Sequence, residues 1–296
     1  LFPSDEATRS TGIPTRPYAD LSRTLSRLTD GDLHWIPGDF SGSPLAEVAE
    51  TLPEGKDPRP ALHRHRLIKD DQEVALLQRA IDLTGDGILE AMRSARPGMF
   101  EYELQSVAEY IWRRAGASGE GFDSIVGSGP NGCILHHNYN RRKLLAGEMV
   151  LMDVGAEVGG YTADVTRTFP VDGRYTPRQR EVYDLVLAAQ RAGIAACRPG
   201  NTLRDVHRAA QRVFQKAGVG GHFWHGTSHW LGLDVHDVGG YLTPLQPGMV
   251  LTVEPGLYFP REGLGIRIED DVLITEENPR ILSERIPRSI DAIEKI

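Results

Sequence analysis

From about residue 70 onward, apolar positions follow two rhythms, and each rhythm predicts an element. Asp70 with Glu73 forms a capping-box pattern, and Val74, Leu77, Ile81, Ile88, Leu89 and Met92 follow at helical spacing. Gly85 and Gly87 weaken that helix locally without ending its pattern. A second helical face runs through Leu104, Val107, Ala108, Ile111, Trp112 and Ala115 to Gly116, a C-terminal stop. The same face returns as Val206, Ala209, Ala210, Val213, Phe214, Ala217 and Gly218. Each copy follows an Arg-Pro-Gly turn, Arg96-Pro97-Gly98 and then Arg198-Pro199-Gly200. The helix before the second copy opens at Thr176-Pro177, a cap residue and a first-turn proline. Two short β-prone runs, Gly147 to Asp153 and Gly248 to Glu254, each end in a carboxylate.

A register kept over a whole helix, together with two strands ending in acids, predicts an internal duplication. We expect an α+β fold of two αβ halves with approximate two-fold symmetry, their strands pairing in one sheet and the two acids converging near the axis. The first 60 residues differ. They are rich in Pro, Ser, Thr, Asp and Gly, with short apolar runs such as Leu33 to Ile36, and read as a turn-rich element without a core of its own. The expected division is therefore residues 1–61 and 62–296.

Composition narrows the function classes. Thirty-three Lys and Arg against 41 Asp and Glu give a net charge of −8, with no basic run, which argues against nucleic acid or an anionic membrane as partner. No apolar stretch reaches transmembrane length. Cys133 and Cys197 cannot form a disulfide framework, so a reducing compartment, the cytoplasm, is expected. Beginning at Leu1 rather than Met, the chain reads as processed or as part of a longer product.

Acids within apolar strands require neutralisation, because an unpaired buried carboxylate is costly. Asp153, Asp164, Glu254 and Glu269 are four such acids. Asp153 with Asp164 and Glu254 with Glu269 are separated by Gly- or Pro-containing turns, a spacing that fits opposite strands of two hairpins. Arg167 and Arg267 are near enough in sequence to neutralise them, although a divalent metal serves four carboxylates better. Seven of the ten histidines lie between His136 and His236, four of them from His222 on, in a segment too Gly-rich for a long helix. Four acids with one imidazole form a mostly hard ligand set that favours manganese or iron, with zinc or cobalt as alternatives, over calcium. Shared carboxylates suggest two ions, a site suited to hydrolysis. His34, His63, His65, His207 and His222 read as surface or packing residues, and His137 is left open. The Gly127 to Gly132 segment has no phosphate-loop pattern, no Gly-x-Ser-x-Gly elbow occurs, and neither cysteine sits in a nucleophile motif.

The duplicated halves, carrying Asp, Asp, His, Glu and Glu in this order, resemble the pita-bread metallopeptidases, and more narrowly the Xaa-Pro aminopeptidases (aminopeptidase P). The similar segments are Ile125 to Gly129, Cys133 to His136, Tyr161 to Pro170, His225 to Asp237, Val250 to Tyr258 and Gly265 to Asp271. The resemblance implies a pita-bread fold, with two pseudo-symmetric halves around a curved, mostly antiparallel sheet and residues 1–61 as a remnant of the family's N-terminal domain. It implies two metal ions, manganese foremost, held by Asp153, Asp164, His229, Glu254 and Glu269, with Asp164 and Glu269 bridging. His136, His225 and His236 match substrate-side histidines, and Arg267 matches an arginine beside the metals. Tyr258 is placed with them as a residue of the substrate slot, with core or wall packing as the alternative reading. The implied reaction is removal of the first residue from peptides with proline second, by a hydroxide bridging the metals. Glu254, His225 and His236 would serve the proton transfers and the oxyanion. Such peptides are the expected partners, with room for a homodimer. A prolidase on the same site is the alternative, and an inactive binding protein on this fold is a further one, although all five ligand positions are filled.

Overall fold

The computed structural model describes residues 57–296. The chain divides into two units, 1–63 and 64–296, and the architecture described here is that of the second. The expected N-terminal region, with Leu33 to Ile36 and His34, falls almost wholly outside the described residues.

Helix α1 (Arg59–Leu67) leads to α2 (Asp71–Ser94). Asp70 caps α2 by accepting from the amides of Gln72 and Glu73, while the Glu73 carboxylate accepts from the amide of Asp70. Both halves of the predicted box are therefore made. Helix α3 (Glu101–Arg114) packs closely on α2. Gly87 permits the approach, since a Cβ there would lie 3.0 Å from the Ala108 carbonyl and 3.1 Å from the Trp112 ring. The duplicate pair is α4 (Pro177–Ala195) and α5 (Leu203–Lys216). Thr176 caps α4, with Pro177 in its first turn. Gly116 and Gly218, just past α3 and α5, both take the left-handed backbone (φ +97° and +74°) that ends a helix without a Cβ clash.

The strands form antiparallel ladders. In the first half β2 (Ile125–Ser128), β3 (Met149–Val154) and β6 (Val165–Pro170) pair side by side. Beside them β1 (Gly119–Glu120), β4 (Ala156–Val158) and β5 (Tyr161–Thr162) form a smaller ladder. In the second half β7 (Val250–Val253) pairs with β10 (Asp270–Leu273), which pairs with β11 (Arg280–Ile281), while β8 (Gly256–Phe259) and β9 (Leu264–Arg267) form a hairpin. The halves meet along β6. The Glu269 amide donates to the Thr166 carbonyl at 3.1 Å, and the Thr168 hydroxyl donates to the Arg267 carbonyl at 2.8 Å. The expected single sheet is thus four short ladders joined by a few cross-links, because turns and acid-bearing segments interrupt the pairing. The helices cover the ladders with a large apolar core that includes Leu77, Ile88, Trp112, Val150, Tyr183 and Phe214.

Candidate metal centre

The seam between the halves brings the predicted acids together. Asp153, near the end of β3, faces Thr166 across the ladder. Asp164 lies two residues before Thr166, diagonal to Asp153 on the same face. On the other side Glu254 follows β7 and Glu269 lies between β9 and β10. The histidine-rich segment is threaded along β7. The Leu231 amide donates to the Val250 carbonyl (3.1 Å), that of Thr252 to the His229 carbonyl (3.0 Å), and that of Glu254 to the Thr227 carbonyl (2.8 Å). This edge pairing sets His229 against the acids, even though the segment is neither a helix nor a regular strand.

Asp164, His229 and Glu269 each offer a ligand atom within 4.8 Å of the others. His229 Nε2 lies 3.3 Å from Asp164 Oδ2 and 3.7 Å from Glu254 Oε1. Its Nδ1–H donates to the Trp230 carbonyl at 3.0 Å, which leaves Nε2 as the lone-pair nitrogen facing the carboxylates. Asp153 belongs to the same wall but is turned onto Arg267, whose Nη2 donates to Oδ2 at 2.5 Å, while its Oδ1 is buried without a hydrogen-bond partner among the described residues. Thr166 donates to Glu269 Oε2 at 2.7 Å. Asp153, Asp164, His229, Glu254 and Glu269 line a cavity of about 450 Å³ together with His136, His225, His236, Arg267 and apolar Phe122, Ile125, Leu135 and Val235.

The cavity is electrostatically expensive without a cation. Burial, then the neighbouring acids, hold Asp164 and Glu269 well above the usual carboxylate range. Burial pushes Glu254 up to about 7. The same burial, reinforced by the Arg267 charge, drives His225 down to about 3, and burial beside His229 lowers His236. Acids that resist ionising, an orphaned buried carboxylate oxygen and an imidazole nitrogen presented bare among them fit a divalent cation, which would reverse the penalty.

The other expected residues are placed unevenly. His136 and His236 are exposed on the cavity wall. The expectation that Tyr258 lines the substrate slot is corrected: it is fully buried behind that wall. Its hydroxyl accepts from Arg267 Nη1 (2.9 Å) and donates to His225 Nε2 (2.8 Å), because Nδ1–H of His225 is spent on the Gly226 carbonyl (2.7 Å). Arg167 does not serve the cavity. It pairs with Asp270 at 2.7 Å and donates to the Ile286 carbonyl, locking the chain end onto β10. His137 contacts Glu101 at 3.2 Å and packs away from the centre. Sequence reasoning missed Thr166 and Asp271. Asp271 is fully buried and accepts from the Asp164 amide at 3.2 Å. The only signal for it was a second acid directly after Asp270.

Residues 75–276 match the profile of metallopeptidase family M24. The chain belongs to this family. The Xaa-Pro aminopeptidase of Escherichia coli (strain K12) is 42% identical over 270 residues, 81% of this chain and 61% of that protein. This M24 chain therefore spans about six-tenths of that relative's length. Among solved structures, an Escherichia coli aminopeptidase P variant in complex with substrate superposes with a TM-score of 0.91 at 34% identity, covering 99% of this chain and 77% of that one. A zinc-substituted form of the Escherichia coli enzyme in complex with product gives 0.89 at 35% identity, with the same coverage. The fold is the α+β pita-bread arrangement of two pseudo-symmetric halves, and the family is one of divalent-metal peptidases.

Proposed function

We propose that this chain removes the N-terminal residue from peptides whose second residue is proline. Two divalent ions, manganese foremost, would be held by Asp153, Asp164, His229, Glu254 and Glu269, with Asp164 and Glu269 shared between them. The observation that carries the reading is the convergence of Asp164 and Glu269 with the bare imidazole nitrogen of His229, on a substrate-sized cavity that Asp153 and Glu254 also line. The bound ions would supply an activated water and Lewis acidity toward the scissile carbonyl.

The chain's own residues do the rest. Burial holds His225 neutral with both ring nitrogens engaged, by the Gly226 carbonyl and the Tyr258 hydroxyl, while the His236 ring, free of hydrogen bonds among the described residues, can donate one into the cavity. Tyr258 acts from behind the wall to orient His225, and Arg267, on the wall itself, orients Asp153. Glu254, between His225 and His229, is the carboxyl that would carry a proton to the leaving imide nitrogen. That nitrogen has no hydrogen in an Xaa-Pro bond, so the proline ring needs apolar surface rather than a backbone acceptor, and Phe122, Ile125, Leu135 and Val235 offer it.

Among the described lining residues Arg267 is the one permanent cation, and it is already engaged by Asp153 and Tyr258. A dipeptide's free carboxylate thus finds no clamp, which favours aminopeptidase over prolidase. The test compares release of the first residue from Xaa-Pro dipeptides, Xaa-Pro-Yaa tripeptides and longer peptides, with manganese and after chelation. We expect tripeptides and longer peptides to be cleaved, dipeptides to be poor, and alanine in place of proline to cost most of the activity. Dipeptides alone being cleaved would establish a prolidase, and activity undiminished by chelation would sink the mechanism. The proposal keeps the domain division at 61/62, a homodimer and a cytoplasmic location, the last supported by two unbridged cysteines. No helix among the described residues is long and apolar enough to cross a membrane.

A further inference from the structure

His236 poses a problem of placement. It is exposed, its ring lies 4.2 Å from that of His229 between centroids, and it makes no side-chain hydrogen bond among the described residues. A side chain held by nothing of its own takes its position from the backbone beneath it. The next residue, Asp237, is the anchor of that backbone. Its side chain is 1% exposed, an unusual state for an aspartate, and both of its oxygens are used. Oδ1 accepts from Arg66 and from the Val238 amide (2.8 Å), and Oδ2 faces Lys69 Nζ at 3.5 Å. Lys69 is equally buried, so this is a desolvated ion pair inside the protein rather than a surface bridge. The Asp237 amide closes the loop by donating to the Trp230 carbonyl at 2.9 Å. Gly232 makes room for the pair, since a Cβ there would fall inside the Asp237 carboxylate.

The cations come from a distant stretch of chain. Arg66 lies in the last turn of α1 and Lys69 immediately precedes the α2 cap, while the Lys69 amide donates to the Gly248 carbonyl just before β7. Lys69 is thus tied by its amide to the segment that leads into β7 and by its ammonium to the histidine loop that runs along that strand. We propose that Lys69 and Arg66, acting through Asp237, are positioning residues that hold the His236 imidazole over the metal centre. The inference rests on the functional reading above for what His236 does, but the placement itself is independent of it. A misplacement of about 1 Å can cost roughly 10²-fold in rate.

The test uses the whole chain loaded with metal and an Xaa-Pro-Yaa tripeptide. Asp237→Asn should lower kcat by ~10²-fold while KM and bound metal stay within about twofold of the parent. In a His236→Ala background the same change should add less than about twofold, because residues that act as a unit are not additive. Should Asp237→Asn fail to fold, Lys69→Met and Arg66→Gln carry the cycle, with Lys69→Arg expected to restore much of the rate. A second readout needs no turnover. In the zinc-loaded protein the imidazole NMR signals absent from His236→Ala should shift or broaden in Asp237→Asn, while those of the other histidines stay in place. Unmoved His236 signals, a full kcat loss on top of His236→Ala, or loss of metal from the Asp237 variant would each overturn the assignment. Absence of any Xaa-Pro cleavage by the parent chain would instead sink the functional reading, and the imidazole signals would still decide the placement.

Discussion

Replacing Glu254 with glutamine should stabilise the metal-free protein and weaken the metal-loaded one. In the metal-free chain burial lifts Glu254 from an ordinary 4.5 to about 7. Below pH 4.5 the carboxyl is protonated in both folded and unfolded chains, so it contributes no pH dependence. Between pH 4.5 and 7 the unfolded chain gives up this proton while the folded chain keeps it, and stability falls as pH rises. Above pH 7 the penalty is complete, at about 3 kcal/mol for a difference of 2.5 pH units. The side chain is 18% exposed, so solvent trims this figure. Glutamine carries no charge at any pH and removes the penalty. At roughly 2–4 °C per kcal/mol for a chain of this size, the chelated variant should melt about 6–10 °C above the parent at pH 7.5 and level with it at pH 4.5. With excess manganese the order should reverse, because the variant lacks an anionic ligand and gains less from mass action. Thermal unfolding by circular dichroism, in chelator and in manganese at pH 4.5, 6 and 7.5, reads both signs. A chelated variant no more stable than the parent at pH 7.5 would refute the buried-charge argument, and an equal gain from manganese would remove Glu254 from the ligand set.

The remaining predictions separate roles within the centre. Asp164→Asn and Glu269→Gln should be the most damaging conservative changes, removing turnover together with bound metal by elemental analysis; near-normal turnover with two ions bound would overturn the shared-ligand assignment. His236→Ala should keep both ions and lose ~10²-fold in kcat, whereas His229→Ala should lose metal as well. Equal metal loss in the two would refute the division between ligand and substrate-side histidine.

Much of this protein was legible in the order of its residues. The Asp70–Glu73 box, the Thr176-Pro177 start and the two matching helical faces are encoded within a few residues of where they act, so spacing reveals them directly. The acids ending two repeat-related strands were legible for a different reason: a carboxylate among buried aliphatic side chains needs a partner, whatever the fold. Tertiary structure decided which partner each group meets. A strand reverses its facing with every residue, so register alone decides that Thr166, and not Asp164, stands opposite Asp153. Tyr258 could have faced substrate, yet the β8–β9 hairpin turns it inward to Arg267 and His225. His137 differs from His136 by one position, and one contacts Glu101 while the other lines the cavity. The Lys69–Asp237 pair joins residues 168 positions apart, beyond the reach of any periodic pattern. Local spacing carries the elements and the chemistry that must be neutralised; the packing of the halves decides orientation and long-range pairing, because those energies exist only once distant segments share a buried surface.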